Sequence, residues 1–172
     1  MKKYITGIGS RKTPKNISQK INELSRYFVD AGYILRSGGA DGSDSMWESS
    51  YSILGGNAEI YLPWPGFNKN TSGLYGVSEQ ALSLASTVHH KWDSLKPSGK
   101  LLHGRNVYQV LGTDLKTRSD ILICWTPNGE IVGGTATAIK LAKTNNIPVF
   151  NLAIPDDVLK LDCYVAFEKN QL

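Results

Sequence analysis

The sequence predicts a single three-layer α/β domain over residues 1–172, with a mainly parallel sheet. Short apolar runs of strand length alternate with longer segments whose apolar residues recur at helical spacing, which is the pattern of βαβ units. The 172 residues are 41% hydrophobic and 20% charged, a composition typical of soluble globular proteins and enough chain to bury a core. No apolar run reaches the roughly 18–20 residues that a membrane span needs.

The first half of the chain contains three predicted strands and two predicted helices. The strands are Tyr4–Ile8, Tyr33–Leu35 and Ala58–Leu62. The first helix begins after Asn16, which has capping-box spacing to Gln19, and Gly32 is suited to its end. The second helix takes Ser43 as its N-cap. Its expected inward stripe is Met46, Ser50, Ile53 and Leu54.

The second half begins with a predicted loop, Pro63 to Gly76, in which Trp64 and Phe67 are expected to be exposed. A short helix, a strand, a loop and a longer helix follow, at Ser78–Ala85, Thr87–His89, Asp93–Gly99 and Leu102–Leu111. The remaining core elements are a strand over Asp120–Trp125, a helix from Gly134 and a strand over Ile147–Leu152. A short helix and an edge strand over Cys163–Phe167 are expected to end the chain.

Three glycine-rich segments stand where predicted strands end, namely Gly7–Arg11, Ser37–Asp44 and Gly133–Thr137. The carboxyl ends of parallel strands meet at one edge of a sheet, and ligands of open α/β folds bind there. Glycine lets the backbone approach an anion closely, and the free N–H groups of a following helix point at it. The sequence therefore predicts a pocket for a phosphate-bearing ligand.

The predicted ligand-binding residues lie in these segments and in one helical segment. The residues expected to hold phosphate are Gly9, Ser10, Gly38, Gly39, Gly133, Gly134 and Thr135. Arg11 and Arg105 would neutralise it, Asn106 would reach the same cleft, and Asp41 or Asp44 would meet a sugar. The loop from Trp64 to Phe67 is expected to cover or stack a base. Purely structural roles remain open: a turn needing positive φ at Gly38–Gly42, a helix start at Asp44, and a solvated Arg11.

The sequence does not indicate a metal site. His89, His90 and His103 lack metal-ligand spacing with any cysteine, so neither a metal nor another cofactor is predicted. The two cysteines, Cys124 and Cys163, and the absence of a signal-peptide pattern favour a reduced, cytoplasmic protein. A net charge of +4 is compatible with a nucleic acid or an anionic small molecule as partner.

At these residues the chain resembles the SLOG superfamily of Rossmann-like proteins, which includes the DNA-processing protein A (DprA/Smf) family and the LOG nucleotide hydrolases. Ser37–Asp44 matches the DprA-like pattern Ser-Gly-x-Ala-x-Gly-x-Asp in full. Arg105-Asn106, Thr135–Ala138 and Pro148–Phe150 resemble later family motifs. The resemblance implies a Rossmann-like fold and a homo-oligomer.

Three functions are left open by this resemblance. The favoured one is binding of a nucleotide or nucleotide-derived ligand, such as a nucleoside monophosphate or an ADP-ribose-like molecule. An alternative is N-glycosidic cleavage of nucleoside monophosphates, as by a LOG phosphoribohydrolase. The LOG glutamate falls near Thr137 or Ala138, so catalysis would need Arg105 with a substitute carboxylate. The candidates are Asp44, Glu130, Asp41 and Glu48. The third function is weak binding of single-stranded DNA, as in DprA.

Overall fold

The computed structural model describes residues 2–169 and contains six strands in one sheet. They are β1 (Lys3–Gly9), β2 (Tyr33–Ser37), β3 (Ala58–Leu62), β4 (Leu74–Tyr75), β5 (Ile121–Trp125) and β6 (Val149–Asn151). Their order across the sheet is β4-β3-β2-β1-β5-β6, and every pairing is parallel. After β1, the chain adds β2, β3 and β4 in turn on one side of it. The chain then crosses to the other side of β1, where it adds β5 and β6.

Six helices cover the two faces of this sheet. They are α1 (Ile17–Asp30), α2 (Ser43–Ile53), α3 (Glu79–Val88), α4 (Pro97–Leu111), α5 (Thr135–Thr144) and α6 (Pro155–Lys169). Helices α1, α2 and α6 pack on one face, and α3, α4 and α5 pack on the other. The predicted three-layer α/β class is confirmed. Within residues 2–169, no helix is both long and apolar enough to cross a membrane.

Strand β5 shows how the sheet separates two hydrophobic cores. Ile121 and Ile123 point into the core beneath α1 and α2, whereas Leu122 and Cys124 point into the core beneath α4 and α5. All four side chains are fully buried. A strand buried on both faces is expected in the middle of a parallel sheet, and this explains the unbroken apolar run of β5.

Helix α1 begins directly after Asn16, as predicted, but the expected side-chain cap does not form there, and the predicted cap at Ser43 is wrong. The backbone of Asn16 is already helical (φ −64°, ψ −22°), and its side chain makes no capping hydrogen bond. The residue before α2 is Gly42, whose φ of +82° favours glycine. Ser43 is instead the first helical residue, buried with its hydroxyl 2.8 Å from the Thr13 hydroxyl.

Two predictions of exposure and burial are also corrected. Ile53, expected on the inward stripe of α2, is 82% exposed, because it ends the helix and the larger Trp47 and Tyr51 fill the core instead. Phe67, expected to be exposed, is buried with its ring edge-on to Trp64 at a centroid distance of 5.3 Å. The loop after β3 therefore folds back onto its own domain.

Several predicted boundaries in the second half change as well. The expected strand Thr87–His89 is wrong, because Thr87 and Val88 complete α3. The expected loop Asp93–Gly99 already contains the start of α4, since Pro97 occupies a first-turn position that proline favours. The expected edge strand Cys163–Phe167 is helical within α6, whose Leu161 is buried. Strand β4 was not predicted, because two exposed residues give no apolar pattern.

The contact between Gly7 and Trp47 provides a test of this packing. A Cβ on Gly7 would lie 2.6 Å from two ring carbons of Trp47. Gly7→Ala is therefore expected to lower the free energy of unfolding by about 1–3 kcal/mol, as overpacking does. Urea unfolding measures it. Gly73→Ala is the control, because a Cβ there meets nothing within 4 Å. Equal stability of the two variants would contradict the packing.

Candidate functional site

A cleft of about 490 Å³ opens where the strand order reverses, between β1 and β5. The loops that follow these two strands diverge at this point, and ligands of open α/β folds bind in such crevices. The lining residues include the predicted Gly9, Ser10, Arg11, Asp44, Arg105, Asn106, Gly133, Gly134 and Thr135. The sheet thus brings residues from both ends of the chain together.

Helix α4 forms one wall of the cleft. Its lining residues follow helical spacing, from Gly99 through Leu102 and His103 to Asn106 and Gln109. Residues at this spacing share one face of a helix. Because α4 leads the chain back toward the start of β5, this face runs from the mouth of the cleft to its floor. The Arg105-Asn106 pair lies in the middle of α4, because α4 begins at Pro97 and not at Leu102, where the predicted helix began.

Arg105 is a buried cation that ties the cleft wall to the sheet. It is 5% exposed, and its Nη1 donates to the carbonyl oxygens of Gly38 and, at 3.2 Å, Tyr61. Burial lowers the pKa of its guanidinium, and the nearby Asp44 carboxylate opposes that shift. A Cβ on Gly38 would lie 2.6 Å from the Arg105 Cζ. Glycine at position 38 is thus required by the arginine that packs against it.

Asp44 is the carboxyl group at the start of α2, and it is 4% exposed. Its Oδ2 accepts a hydrogen bond of 3.1 Å from the backbone N–H of Gly38. Burial raises the pKa of Asp44 to about 6, although the Arg105 charge and backbone N–H groups of neighbouring loops partly offset the shift. The carboxyl group holds the Ser37–Asp44 turn closed and changes its charge near neutral pH.

Asn106 connects Arg105 to the glycine pair that precedes α5. Its Oδ1 accepts from Arg105 Nε at 3.0 Å, and its Nδ2 donates to the Gly134 carbonyl oxygen at 2.8 Å. A Cβ on Gly133 or Gly134 would meet nothing within 4 Å. The amino end of α5, which carries the positive end of the helix dipole, therefore faces open space in the cleft.

The charged side chains around the cleft are mostly positive. Arg11 and Lys12 are exposed at its mouth, and Arg105 is buried in its wall. Ser10 orders this loop, since its Oγ accepts from the Lys12 backbone N–H at 3.0 Å. Among residues 2–169, Asp44 is the one acidic residue in the lining. The balance of charge favours an anionic ligand.

His103 adds a neutral polar group to the α4 wall. Its Nδ1 is 2.7 Å from the Thr137 hydroxyl, and its ring lies edge-on to His89 at a centroid distance of 4.4 Å. Burial and the nearby His89 and Arg105 lower the pKa of His103 to about 4, so the ring is neutral at physiological pH. Over residues 2–169, no group of three or more His, Cys, Asp or Glu side chains is arranged to hold a metal ion.

Four predicted site residues lie outside the lining of the cleft, namely Gly38, Gly39, Asp41 and Glu130. Gly38 is behind Arg105, and Asp41 is exposed and accepts from Asn68 Nδ2 at 3.0 Å. Glu130 is exposed in the loop before α5. The alternative carboxylate Glu48 accepts twice from Asn70 Nδ2 and does not line the cleft.

Sequence reasoning missed three lining residues with polar side chains, Lys12, His103 and Gln109. The helical spacing from Gly99 to Gln109 was the available signal for Gln109, because it places the glutamine on the same face as Asn106. Lys12 follows Arg11 directly and had no pattern of its own.

Comparison with known proteins gives matches among solved structures. No family model matches the chain, and no curated protein matches it. The molybdenum cofactor carrier protein of Chlamydomonas reinhardtii superimposes with a TM-score of 0.57 at 20% identity, covering 91% of this chain and 80% of that one. DNA processing protein A of Helicobacter pylori gives a TM-score of 0.50 at 17% identity, covering 98% and 73%. The Streptococcus pneumoniae protein of the same name gives 0.50 at 12% identity, covering 95% and 56%.

These identities are low, so the likeness concerns the fold. The resemblance that the motifs predict is confirmed at that level: this chain is a Rossmann-like α/β protein with the fold of the DNA processing protein A and molybdenum cofactor carrier structures.

Proposed function

We propose that the cleft binds a nucleotide or a nucleotide-derived ligand, with its phosphate at the amino end of α5. The observation that carries the proposal is the open space around Gly133 and Gly134, which face a cleft with three cationic side chains. Backbone N–H groups at a helix start and nearby arginines are the usual means of holding phosphate. The similar structures are named for carrying the molybdenum cofactor and for binding single-stranded DNA, so proteins of this fold bind different ligands.

The lining residues divide into groups with different roles in this proposal. Thr135 supplies a hydroxyl and a backbone N–H to the phosphate, while Arg11 and Lys12 approach it from the mouth. Apolar surface from Leu102 and Val132 is available to a base or sugar ring. Arg105 contributes its charge from inside the wall, where its hydrogen bonds to the protein keep it in place.

Gly134→Ala tests the phosphate site directly. The backbone of Gly134 is helical (φ −62°), and the added methyl enters open space, so the fold should keep its stability. The methyl would occupy the position of the phosphate, and affinity should fall by about tenfold or more, which is 1.4 kcal/mol. Calorimetry with nucleoside monophosphates, ADP-ribose and NAD measures it.

Gly73→Ala serves as the matched control, because its methyl also meets open space but lies outside the cleft. The wild type should bind at least one of these compounds with a Kd in the micromolar range or tighter, about −8 kcal/mol. If the wild type binds none of these compounds, the proposed function is wrong. If Gly134→Ala and Gly73→Ala bind with equal affinity, the phosphate does not bind at the amino end of α5.

The pKa of Asp44 predicts how binding changes with pH. Above its pKa of about 6 the group is negative and repels an anionic ligand, and below it the repulsion is lost. ADP-ribose, whose diphosphate keeps the same charge over this range, should bind several-fold more tightly as the pH falls from about 7.5 to about 5.5. Asp44→Asn should remove most of this dependence, measured by calorimetry.

Asp41→Asn is the control for that experiment, since Asp41 is an exposed carboxylate outside the cleft. It should show the wild-type pH profile. A profile that is the same in both variants would assign the pH dependence to another group.

N-glycosidic cleavage is the second candidate function, and Asp44 is the observation that favours it. A buried carboxyl group with a raised pKa can hold a proton near neutral pH and act as a general acid. If the protein is an enzyme, incubation with nucleoside monophosphates should release free base, and Asp44→Asn should lower the rate by about a hundredfold. Chromatography of the products measures both. Binding without release of base would exclude cleavage of these substrates.

Weak binding of single-stranded DNA is the third candidate. It is favoured only by the DNA processing protein A structures, whose fold this chain shares. The exposed Arg11 and Lys12 at the mouth of the cleft are the residues that would contact a phosphate backbone. Such contacts weaken steeply as salt concentration rises, so a salt titration would separate DNA binding from binding of a nucleotide inside the cleft.

A further inference from the structure

The imidazole of His103 has one nitrogen bonded to the protein and one open to the cleft. The residue lies on the cleft face of α4 and is 8% exposed. Its Nδ1 is bonded to the Thr137 hydroxyl, whereas its Nε2 makes no hydrogen bond within residues 2–169. Unlike Nδ1 of His89, this Nε2 is not sealed from solvent. Because His103 lines the cleft and does not line the neighbouring surface pocket around His89 and His90, its open edge faces the cleft.

Thr137 determines which ring nitrogen of His103 carries the hydrogen. Thr137 is 1% exposed, and among the described residues its hydroxyl has the His103 Nδ1 as its one partner. A buried hydroxyl hydrogen without an acceptor is costly, so the hydroxyl donates and Nδ1 accepts. The other nitrogen of a neutral imidazole then carries the hydrogen. Turning the ring over would place a carbon against the hydroxyl and lose this bond. His103 therefore presents an Nε2–H donor to the cleft.

The open donor lies beside the amino end of α5. Thr137 belongs to the first turn of this helix, which begins at Thr135. Asn106, one turn after His103 on the same face of α4, bonds to the Gly134 carbonyl oxygen. Helix α4 thus contacts the start of α5 at two points. Asn106 uses both ends of its amide in these contacts, whereas His103 keeps one donor unused.

We propose that His103 is a ligand-binding residue whose Nε2–H donates to a phosphate oxygen, with Thr137 as the positioning residue that holds the ring. This inference rests on the proposed function, in which the phosphate lies at the amino end of α5. The imidazole would approach the phosphate from the α4 wall, while Arg11 and Lys12 approach from the mouth of the cleft. Hydrogen bonds to a charged phosphate are stronger than those between neutral groups, so one such donor matters for affinity.

Nuclear magnetic resonance of the histidine rings tests the contact in the wild-type protein. The chain has three histidines, so the His103 signals can be assigned with one variant. In the free protein the hydrogen should be found on Nε2. Burial, the nearby His89 and the Arg105 charge lower the pKa of His103 to about 4.

Inorganic phosphate is the probe for this measurement. An anion at Nε2 favours the imidazolium, and the Thr137 hydroxyl can turn to accept from the newly protonated Nδ1. Millimolar phosphate should therefore raise the pKa of His103 by about 1 or more, compared with chloride at equal ionic strength. The exposed His90, which lies outside the cleft, should show no comparable change.

Two substitutions of His103 separate its two nitrogens. The amide of His103→Asn reaches the Nδ1 position only, so it keeps the Thr137 contact and should weaken adenosine monophosphate binding by about tenfold. The amide of His103→Gln reaches the Nε2 position and should stay within about threefold of the wild type. His90→Gln is the control and should bind as the wild type does. Calorimetry measures all three variants.

Thr137→Val tests the positioning role. It keeps the shape of the side chain and removes the hydroxyl, so the hydrogen of the His103 ring should be shared between the two nitrogens. Nitrogen chemical shifts measure this distribution. A ring that keeps its hydrogen on Nε2 in this variant would show that Thr137 does not set it.

The outcomes distinguish this inference from the proposed function. If no nucleotide binds but phosphate raises the pKa of His103, the proposed function fails and the phosphate contact stands. If nucleotides bind and phosphate leaves this pKa unchanged, or His103→Asn binds as tightly as the wild type, only the role of His103 is overturned. A hydrogen on Nδ1 in the free protein would overturn it as well. If neither nucleotides nor phosphate has an effect, both fail.

Discussion

The contact on which the site depends is the hydrogen bond from the buried Arg105 guanidinium to the Gly38 carbonyl oxygen. It joins α4 on one face of the sheet to the turn that begins α2 on the other. The same guanidinium bonds to Tyr61 at the end of β3 and to Asn106 on its own helix. A buried cation must be satisfied in this way, since leaving it unpaired is costly. Satisfying it holds the ends of two strands, β2 and β3, against α4.

Electrostatic interactions and close packing both stabilise the arrangement of Arg105, Asp44 and Gly38. The Asp44 carboxylate balances part of the Arg105 charge and accepts a hydrogen bond from the Gly38 N–H. Both backbone groups of Gly38 are therefore fixed, the carbonyl oxygen by Arg105 and the N–H by Asp44. Gly38 has no room for a side chain because Arg105 occupies that space. The glycine at position 38 is therefore explained by its contacts inside the protein. Gly133 has a φ of +66°, which favours glycine, whereas Gly134 has a helical backbone and faces open space in the cleft.

The sequence allowed the glycine-rich strand ends to be predicted because their signals are local. An apolar run such as Ile121–Trp125 followed by turn residues identifies a strand end without knowledge of its neighbours. The burial of Phe67 could not be predicted in this way, because it depends on how the loop after β3 packs onto the rest of the domain. The cap predicted at Asn16 failed for a related reason, since the backbone already turns into a helix before that residue.

The amide of Asn106 has a mechanical consequence for any anion that enters the cleft. The Asn106 oxygen accepts from Arg105 and its nitrogen donates to Gly134, so the side chain links the buried cation to the glycine pair. A ligand would not have to order them separately, and the conformational entropy of doing so would already be lost in the free protein. Preorganisation of this kind favours affinity in a small cleft, where few contacts are available to offset the cost of ordering.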